Sequence, residues 1–373
     1  MSANKNIIID FGKISTPYCG LAEVALNFSD ALNRLAPKGL NFIYIVPTAL
    51  RSEFDQRIAS SNVLTPKYKG INRILYYLTG RPGFLCQIPE YDVYHYLHFY
   101  SPWGPNNSNE HKTLLTIHDF HALERKRAAK RLVSRLNKVT HLAFISNFAF
   151  KEYERLIDNR KHVTRVITNG VKVPPTISEH SSQQIVNKYG KFLFTLGGLK
   201  RKNIHSLLGM LQITLQQNTD SELKLLIAGS IKDKYKNELV AQANDRNIAD
   251  HVVFLGAISE QEKFAYMQAC RAFVFPSLQE GFGLPVIEAL HLGKPVFCSN
   301  KTSLPEVGGD HVYYWDKFDA QYMADILLSG LADNDLRLED YIANRKHYAL
   351  TFDWEQNAKQ YVNYYQSIIT SSK

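Results

Sequence analysis

The stretch Glu280-Gly-Phe-Gly-Leu-Pro-Val-Ile-Glu288 places two carboxylates around a glycine-containing turn. The short apolar run before it, 272–277, predicts a buried strand, and the apolar pattern of 284–292 predicts a helix. The two glycines allow the backbone to approach a ligand, and the start of the predicted helix, where Pro285 fits, favours a phosphate. Because carboxylates beside an anion site are unfavourable unless they bind something else, such as sugar hydroxyls, the stretch indicates a nucleotide-sugar site.

Short apolar strands alternate with helical patterns along the chain. Strand 7–10 precedes a helical pattern that opens at Gly20, and the alternation restarts at 192–196 after the polar stretch 172–190, which we interpret as a linker. This order predicts an α/β protein of two Rossmann-like, doubly wound domains facing across a cleft, with ligands at the carboxyl ends of the strands. The expected parts are an acceptor-binding domain (1–175), a nucleotide-sugar-binding domain (176–350) and a C-terminal helix packing back on the first domain (351–373).

The composition is that of a globular protein with reduced thiols. Of the 373 residues 45% are hydrophobic, enough for a sizeable core. The four cysteines, at 19, 86, 270 and 298, form no C-x-x-C pair, which argues against a disulfide framework or a zinc site. The chain start lacks the apolar core of a signal peptide, about 7–15 residues long, and no run approaches the roughly 20 apolar residues that span a bilayer. We therefore expect a cytoplasmic protein, free or bound to the inner face of the cytoplasmic membrane.

The net charge of +9 is concentrated in the first half of the chain. Residues 1–190 contain 25 lysines and arginines against 14 acidic residues, whereas residues 191–373 contain 19 against 21. The densest basic stretch, 124–138, could form a helix with apolar positions left for packing. A solvated helix and a surface for an anionic membrane or a phosphorylated acceptor are both open interpretations of this stretch.

Several stretches together resemble the family 4 retaining glycosyltransferases of the GT-B architecture, the glycosyl transferases group 1, most strongly over 191–315. Those in the second half are Lys200-Arg201-Lys202-Asn203, Phe254-Leu255-Gly256, Phe275-Pro276-Ser277, the Glu280-x7-Glu288 element and Ser303-Leu-Pro-Glu-Val-Gly308. The first half matches more loosely, through the loop near Gly20, Thr116-Ile-His-Asp119, Ile145-Ser146 and Ile167-Thr-Asn-Gly-Val171. Any one stretch alone would be weak, but their order along the chain is that of the family.

The resemblance implies roles for the two glutamates. Glu288 would accept hydrogen bonds from the ribose hydroxyls, although a glutamate early in a helix often only compensates the helix dipole. Glu280 would face the donor sugar near its anomeric centre without acting as a nucleophile. The amides of the intervening turn would contact the distal phosphate. The expected donor-binding residues are Gly20, Phe282, Gly283, Leu284, Glu288 and Ile258.

The resemblance also implies that cations replace a metal ion. Arg201 and Lys202 would stabilise the charge that develops on the departing diphosphate, although such a pair is more often a solvated turn. Many relatives carry an arginine where this chain has Gly197-Gly198-Leu199, so neutralisation would depend on these two residues. His118 would contact the donor sugar near its 6-position, and Gly20 would let the backbone approach the phosphates from the first domain. The expected catalytic residues are Glu280, Arg201, Lys202 and His118.

Two further patterns carry little weight. Asp333-Asn-Asp335 matches a D-x-D metal pattern, but we expect it between helical stretches, where such residues form turns and caps. Gly281-x-Gly283 lacks the third glycine of a dinucleotide fingerprint, because Val286 occupies that place. We therefore expect no metal and no cofactor, with the nucleotide sugar as a substrate.

The resemblance implies a retaining, metal-independent glycosyltransferase. It would move a sugar from a UDP- or GDP-sugar to a hydroxyl of a glycan or lipid-linked acceptor, in bacterial surface polysaccharide or lipopolysaccharide synthesis. The first half would also contact an anionic membrane, and we expect no nucleic-acid partner. The alternatives are a nucleotide-sugar 2-epimerase of the same fold and a non-catalytic glycan-binding relative. The presence of Glu280, Arg201 and Lys202 favours the transferase.

Overall fold

The computed structural model describes residues 4–12, 14, 19–58, 62–66, 74, 87–101, 104, 112–157, 161–217 and 222–371. Cys86, which the composition argument included, lies outside them. The chain divides into two units, one formed by Met1–Gly170 with Asp353–Lys373 and the other by Val171–Phe352. Each unit has its own parallel sheet and its own hydrophobic core.

The strands and α-helices alternate through most of the described chain. In chain order they are β1 (Lys5–Asp10), α1 (Gly20–Leu35), β2 (Leu40–Ile45), α2 (Arg51–Arg57), β3 (Val63–Leu64), β4 (Val93–Tyr96), β5 (Thr113–Ile117), α3 (Lys126–Leu136), β6 (His141–Phe144), α4 (Asn147–Leu156), β7 (Val163–Val166), α5 (Glu179–Tyr189), β8 (Phe192–Leu196), α6 (Ile204–Gln217), β9 (Lys224–Ala228), α7 (Asp233–Asp245), β10 (Val252–Gly256), α8 (Glu260–Ala269), β11 (Ala272–Phe275), α9 (Leu284–His291), β12 (Val296–Ser299), α10 (Leu304–Gly308), β13 (Tyr313–Trp315), α11 (Ala320–Leu336), α12 (Leu338–Ala349) and α13 (Trp354–Thr370).

The described strands of the first unit form one parallel sheet in the order β3-β2-β1-β4-β5-β6-β7. Strands β4, β5 and β6 are buried at every position. A strand in the middle of a parallel sheet is covered on both faces, which is why these strands are continuous apolar runs rather than alternating patterns. The chain adds strands outward from β1 to β3 and then returns to add β4 on the other side of β1.

Helix α13 belongs to the first unit although it follows the second unit in sequence, and it packs against α1. Two of its tyrosines reach the buried sheet. The Tyr361 hydroxyl lies 2.9 Å from that of Thr116, and the Tyr365 hydroxyl lies 2.7 Å from Nδ1 of His95. Burial lowers the pKa of His95 to about 3, so its ring is neutral. The C-terminal helix is therefore held by buried hydrogen bonds as well as by apolar packing.

The described strands of the second unit form a parallel sheet in the order β10-β9-β8-β11-β12-β13. The chain moves outward from β8 to β10 and then returns to β11 on the other side of β8. The carboxyl ends of β8 and β11 therefore flank the point where the strand order reverses. Open α/β sheets usually bind ligands at this point.

The interpretation of 172–190 as a linker is wrong, because it contains α5. Ser178 caps this helix by accepting a hydrogen bond from the backbone N–H of Ser181 at 3.2 Å. No residue of α5 is fully buried. A helix that buries no face in a core needs few apolar positions, so the apolar periodicity of this stretch is too weak to predict a helix.

The placement of Asp333-Asn-Asp335 between helices is also wrong, since these residues lie in the last turn of α11. Asp333 accepts hydrogen bonds from the hydroxyls of Tyr313, at 3.1 Å, and Tyr341, at 2.7 Å. Asp335 forms an ion pair with Arg271. Both carboxylates thus take part in contacts that hold α11 to its neighbours.

Candidate active site

The segment that joins β8 to α6 carries the two predicted cations. It forms one turn of 3-10 helix, Lys200–Lys202, and Asn203 then adopts a left-handed conformation with φ of 57°. The carbonyl of Arg201 accepts a hydrogen bond from the backbone N–H of Leu278 at 2.8 Å. This bond ties the basic turn to the segment that follows β11. Arg201 itself is exposed to solvent.

Gly283 determines the shape of the turn between β11 and α9. Its φ is +114°, and a β-carbon at this position would lie 2.6 Å from Cδ2 of Leu304. No side chain of the described residues caps α9, Pro285 has no N–H, and the N–H of Val286 donates to the carbonyl of Gly283 at 2.9 Å. The N–H groups of Gly283 and Leu284 are therefore the candidates for an anion. The Phe282 ring packs edge-on against Phe352, with centroids 5.9 Å apart. Its side chain belongs to the core, and only its amide is a candidate for ligand contact.

Two residues of the loop before α10 hold this turn in place. The Ser303 hydroxyl lies within hydrogen-bonding distance of two carbonyls, that of Phe282 at 2.8 Å and that of Glu280 at 3.1 Å. The Thr302 hydroxyl oxygen accepts a hydrogen bond from the backbone N–H of Glu280 at 3.1 Å. The backbone that carries Glu280 is therefore fixed from one side by this loop.

Each glutamate of the Glu280–Glu288 element is paired with a lysine from another segment. Nζ of Lys202 lies 2.5 Å from Oε1 of Glu280, and Nζ of Lys263 lies 2.7 Å from Oε1 of Glu288. The four side chains are between 2% and 17% exposed, so both pairs are largely removed from water. The lysines offset the negative charge that the glutamates bring to the start of α9. The two carboxylates are thus compatible with an anion site.

The second carboxylate oxygen of Glu288 has a different environment. Oε2 is buried and has no hydrogen-bond partner among the described residues. A buried polar atom without a partner is unfavourable, so this oxygen marks a place for a hydrogen-bond donor. The lysine that binds Oε1 comes from α8, whose N-cap Ser259 forms a capping box with Glu262 and directly follows Ile258.

In the first unit, His118 follows β5 and lies beside His98, with ring centroids 6.1 Å apart. Nε2 of His118 lies 2.8 Å from the carbonyl oxygen of Leu97, so this nitrogen carries a proton and donates it. Burial lowers the pKa of His118 and lowers that of His98 to about 3. Both rings are therefore neutral near pH 7, which leaves Nδ1 of His118 as an acceptor.

Gly20 begins α1, and a β-carbon at this position would meet no atom within 4 Å. Packing therefore does not require a glycine here, and the open space is compatible with a ligand that approaches the backbone. Gly20 and His118 belong to the first unit. The second unit brings together Arg201, Lys202, Glu280, Phe282, Gly283, Leu284 and Glu288.

Sequence reasoning did not assign a role to Lys263, Thr302 or Ser303. The stretch that begins at Ser303 resembles the family, and this resemblance could have indicated that Ser303 contacts the turn. Lys263 offered no such signal, because 25 positions separate it from Glu288 and only the fold brings the two together.

The sequence matches a known protein family over most of the second unit. Residues 176–347 match the family described as Glycosyl transferases group 1. The O-antigen chain mannosyltransferase B of Escherichia coli is 29% identical over 74% of this chain and 74% of its own length. Over residues 176–347 the chain therefore matches the group 1 glycosyltransferases, and the predicted resemblance to that family is confirmed.

Solved structures share the fold of this glycosyltransferase over almost its whole length. A sucrose-phosphate synthase from Thermosynechococcus elongatus has a TM-score of 0.76 and 18% identity, covering 99% of this chain and 100% of that chain. Alr3699/HepE from Anabaena, in complex with UDP-glucose, has a TM-score of 0.74 and 16% identity, covering 97% and 99%. The predicted fold, GT-B with two Rossmann-like domains, is confirmed.

Proposed function

We propose that this glycosyltransferase moves a mannosyl residue from a nucleoside-diphosphate mannose to a hydroxyl of a growing bacterial surface glycan, with retention of the anomeric configuration. The similarity to an O-antigen chain mannosyltransferase supports the sugar and the acceptor class. The observation that carries the donor site is the pair of lysine-bound glutamates on either side of the turn that opens α9.

The donor would lie along this turn from Glu288 to Glu280. The ribose hydroxyls would donate hydrogen bonds to Oε2 of Glu288, which has no other partner among the described residues. The diphosphate would accept hydrogen bonds from the amides of Phe282 and Gly283 and would face the exposed guanidinium of Arg201. The mannose would then reach the carboxylate of Glu280.

Lys202 would change partners during the reaction. Its ammonium group is bound to Glu280 at 2.5 Å, and a diphosphate at the start of α9 would compete with this carboxylate for it. The bond between the anomeric carbon and the β-phosphate oxygen breaks, and its electron pair leaves on the diphosphate. The acceptor oxygen bonds to the anomeric carbon on the same face, and its proton passes to the departing phosphate. Arg201 and Lys202 stabilise the departing charge, and we propose that no metal ion is needed.

The acceptor side would lie at an anionic bilayer surface. Helix α3 buries Leu132 and Leu136 but exposes cations at Arg125, Lys126, Arg127, Lys130 and Arg131. Each such cation near an anionic surface contributes about 1 kcal/mol of attraction. Among the described helices, none is long and apolar enough to cross a bilayer. We propose that the first unit meets the membrane through α3 and so reaches a lipid-linked acceptor.

Transfer assays test this proposal. The protein is incubated with GDP-mannose or UDP-glucose and a lipid-linked oligosaccharide acceptor, with EDTA present throughout. Mannosylated product of retained configuration, determined by NMR, is the expected result. Glucose transfer would reassign the sugar, inhibition by EDTA would contradict metal independence, and formation of an epimer from donor alone would favour the epimerase. Donor binding without turnover would favour the glycan-binding relative.

A further inference from the structure

Lys263 lies outside the Glu280–Glu288 element, yet it holds the more deeply buried of the two glutamates. The Glu288 side chain is 2% exposed, and that of Lys263 is 15% exposed. We infer that Lys263 is a positioning residue, which binds Oε1 of Glu288 so that Oε2 is presented to the ribose hydroxyls of the donor. This inference rests on the proposed function, which assigns the ribose to Glu288.

Lys263 fixes the orientation of the Glu288 carboxylate. The terminal torsion of a glutamate side chain is broad and roughly two-fold, so packing alone does not fix the plane of the carboxylate. Lys263 binds one oxygen at 2.7 Å, and the other oxygen remains buried without a partner among the described residues. An ammonium is a point charge, so it can hold one oxygen and leave the second open.

The Lys263 ammonium also complements a carboxylate that accepts hydrogen bonds. An ionised carboxylate only accepts hydrogen bonds, whereas a protonated one must donate from one of its oxygens. The ribose hydroxyls need an acceptor here. The Lys263 ammonium only donates hydrogen bonds, so it occupies Oε1 at 2.7 Å and leaves Oε2 to accept from the ribose.

The helix that carries Lys263 is anchored at its start. Lys263 lies in the first turn of α8, which is fixed by the reciprocal hydrogen bonds of Ser259 and Glu262. Its ammonium also lies 4.3 Å from the centroid of the Phe264 ring. The lysine therefore reaches Glu288 from an anchored helix end rather than from a mobile loop.

The experiment measures how strongly the enzyme prefers a ribose donor over its 2′-deoxy and 3′-deoxy analogues, as ratios of kcat/KM. The wild-type enzyme is expected to prefer ribose by about 10- to 100-fold, the effect of a hydrogen bond to a charged group. In Lys263→Met this preference should fall to near 1, with a rise in donor KM and little change in kcat. In Lys263→Arg the charge is kept, but a guanidinium forks across both carboxylate oxygens, so the preference should also fall.

The matched control is Lys172→Met. Lys172 forms an exposed ion pair with Glu260 on the same helix, α8, at 3.3 Å, and its loss should leave the preference unchanged. A folded Lys263→Arg variant that keeps the full ribose preference overturns the inference, even where Lys263→Met does not fold. If the wild-type enzyme itself does not discriminate the analogues, the ribose assignment of the proposed function fails instead.

Discussion

Gly283→Ala should destabilise the second unit because two separate effects combine at this position. A non-glycine residue at φ of +114° carries backbone strain of about 1–3 kcal/mol. The new β-carbon would also lie 2.6 Å from Cδ2 of the fully buried Leu304, and overpacking of this kind costs about 1–3 kcal/mol. We expect a loss of about 2–6 kcal/mol in the free energy of unfolding of this unit, together with weaker binding of nucleoside diphosphates.

Two further glycines provide graded controls. At Gly256, φ is +73° but a β-carbon would meet nothing within 4 Å, so Gly256→Ala should show strain alone. At Gly20 neither effect applies, so Gly20→Ala should change stability by less than about 1 kcal/mol. Because the chain has two units, a single two-state fit is not appropriate, and hydrogen exchange of the amides of β8 and β11 should be measured instead. Equal exchange in the Gly283→Ala and Gly256→Ala variants would refute the packing argument.

Three further perturbations test other parts of the account. Lys202→Met should lower kcat about 100- to 1,000-fold, by analogy with the loss of one charge-stabilising donor. Its control is Lys200→Met, which breaks an exposed ion pair with Glu238 and should leave kcat unchanged. Equal effects of the two substitutions on kcat would contradict the role of Lys202. Replacing the cations Arg125, Lys126 and Arg127 with glutamine should weaken binding to anionic but not neutral liposomes in a sedimentation assay, and unchanged binding would exclude α3 as the membrane surface. Burial lowers the pKa of His95 to about 3, so the stability it contributes is present above its unfolded pKa near 6.5 and is lost as the pH falls. Between pH 7 and pH 5 the first unit of the wild-type chain should lose about 2 kcal/mol through this residue, and hydrogen exchange of the amides of β4 should show a correspondingly smaller loss in His95→Gln.

The apolar strands were predictable because their signal is local. Strand β8 begins and ends with the predicted run 192–196, and β11 begins with the predicted run 272–277 and ends two residues before it does. Each run is buried on both faces, so no alternation is needed and length alone distinguishes strand from helix. The order of strands and helices was therefore enough to predict two doubly wound units.

Helix α5 was not predictable by the same reasoning. Its capping serine and its helix-forming side chains are present in the sequence, but it buries no residue fully. A helix on the outside of a unit carries a weak periodic pattern, and polar composition alone does not distinguish it from a linker.

The candidate site was predictable only in part. The turn between the two glutamates follows from its glycines and from the neighbouring apolar runs, all of which are local. The lysine pairs are long-range contacts, across 78 positions for Lys202 and Glu280 and across 25 for Lys263 and Glu288. The sequence offered Lys202 as a phosphate ligand and Glu280 as a sugar ligand but did not indicate that they bind each other. The roles of the site residues in binding the donor stay predictions.

A crystal structure with a nucleoside-diphosphate mannose bound tests the central claim most directly. We expect the ribose hydroxyls at Oε2 of Glu288, the distal phosphate at the amides that open α9, and the mannose beside Glu280. A donor bound with its ribose away from Glu288, or with its diphosphate away from the start of α9, would contradict it.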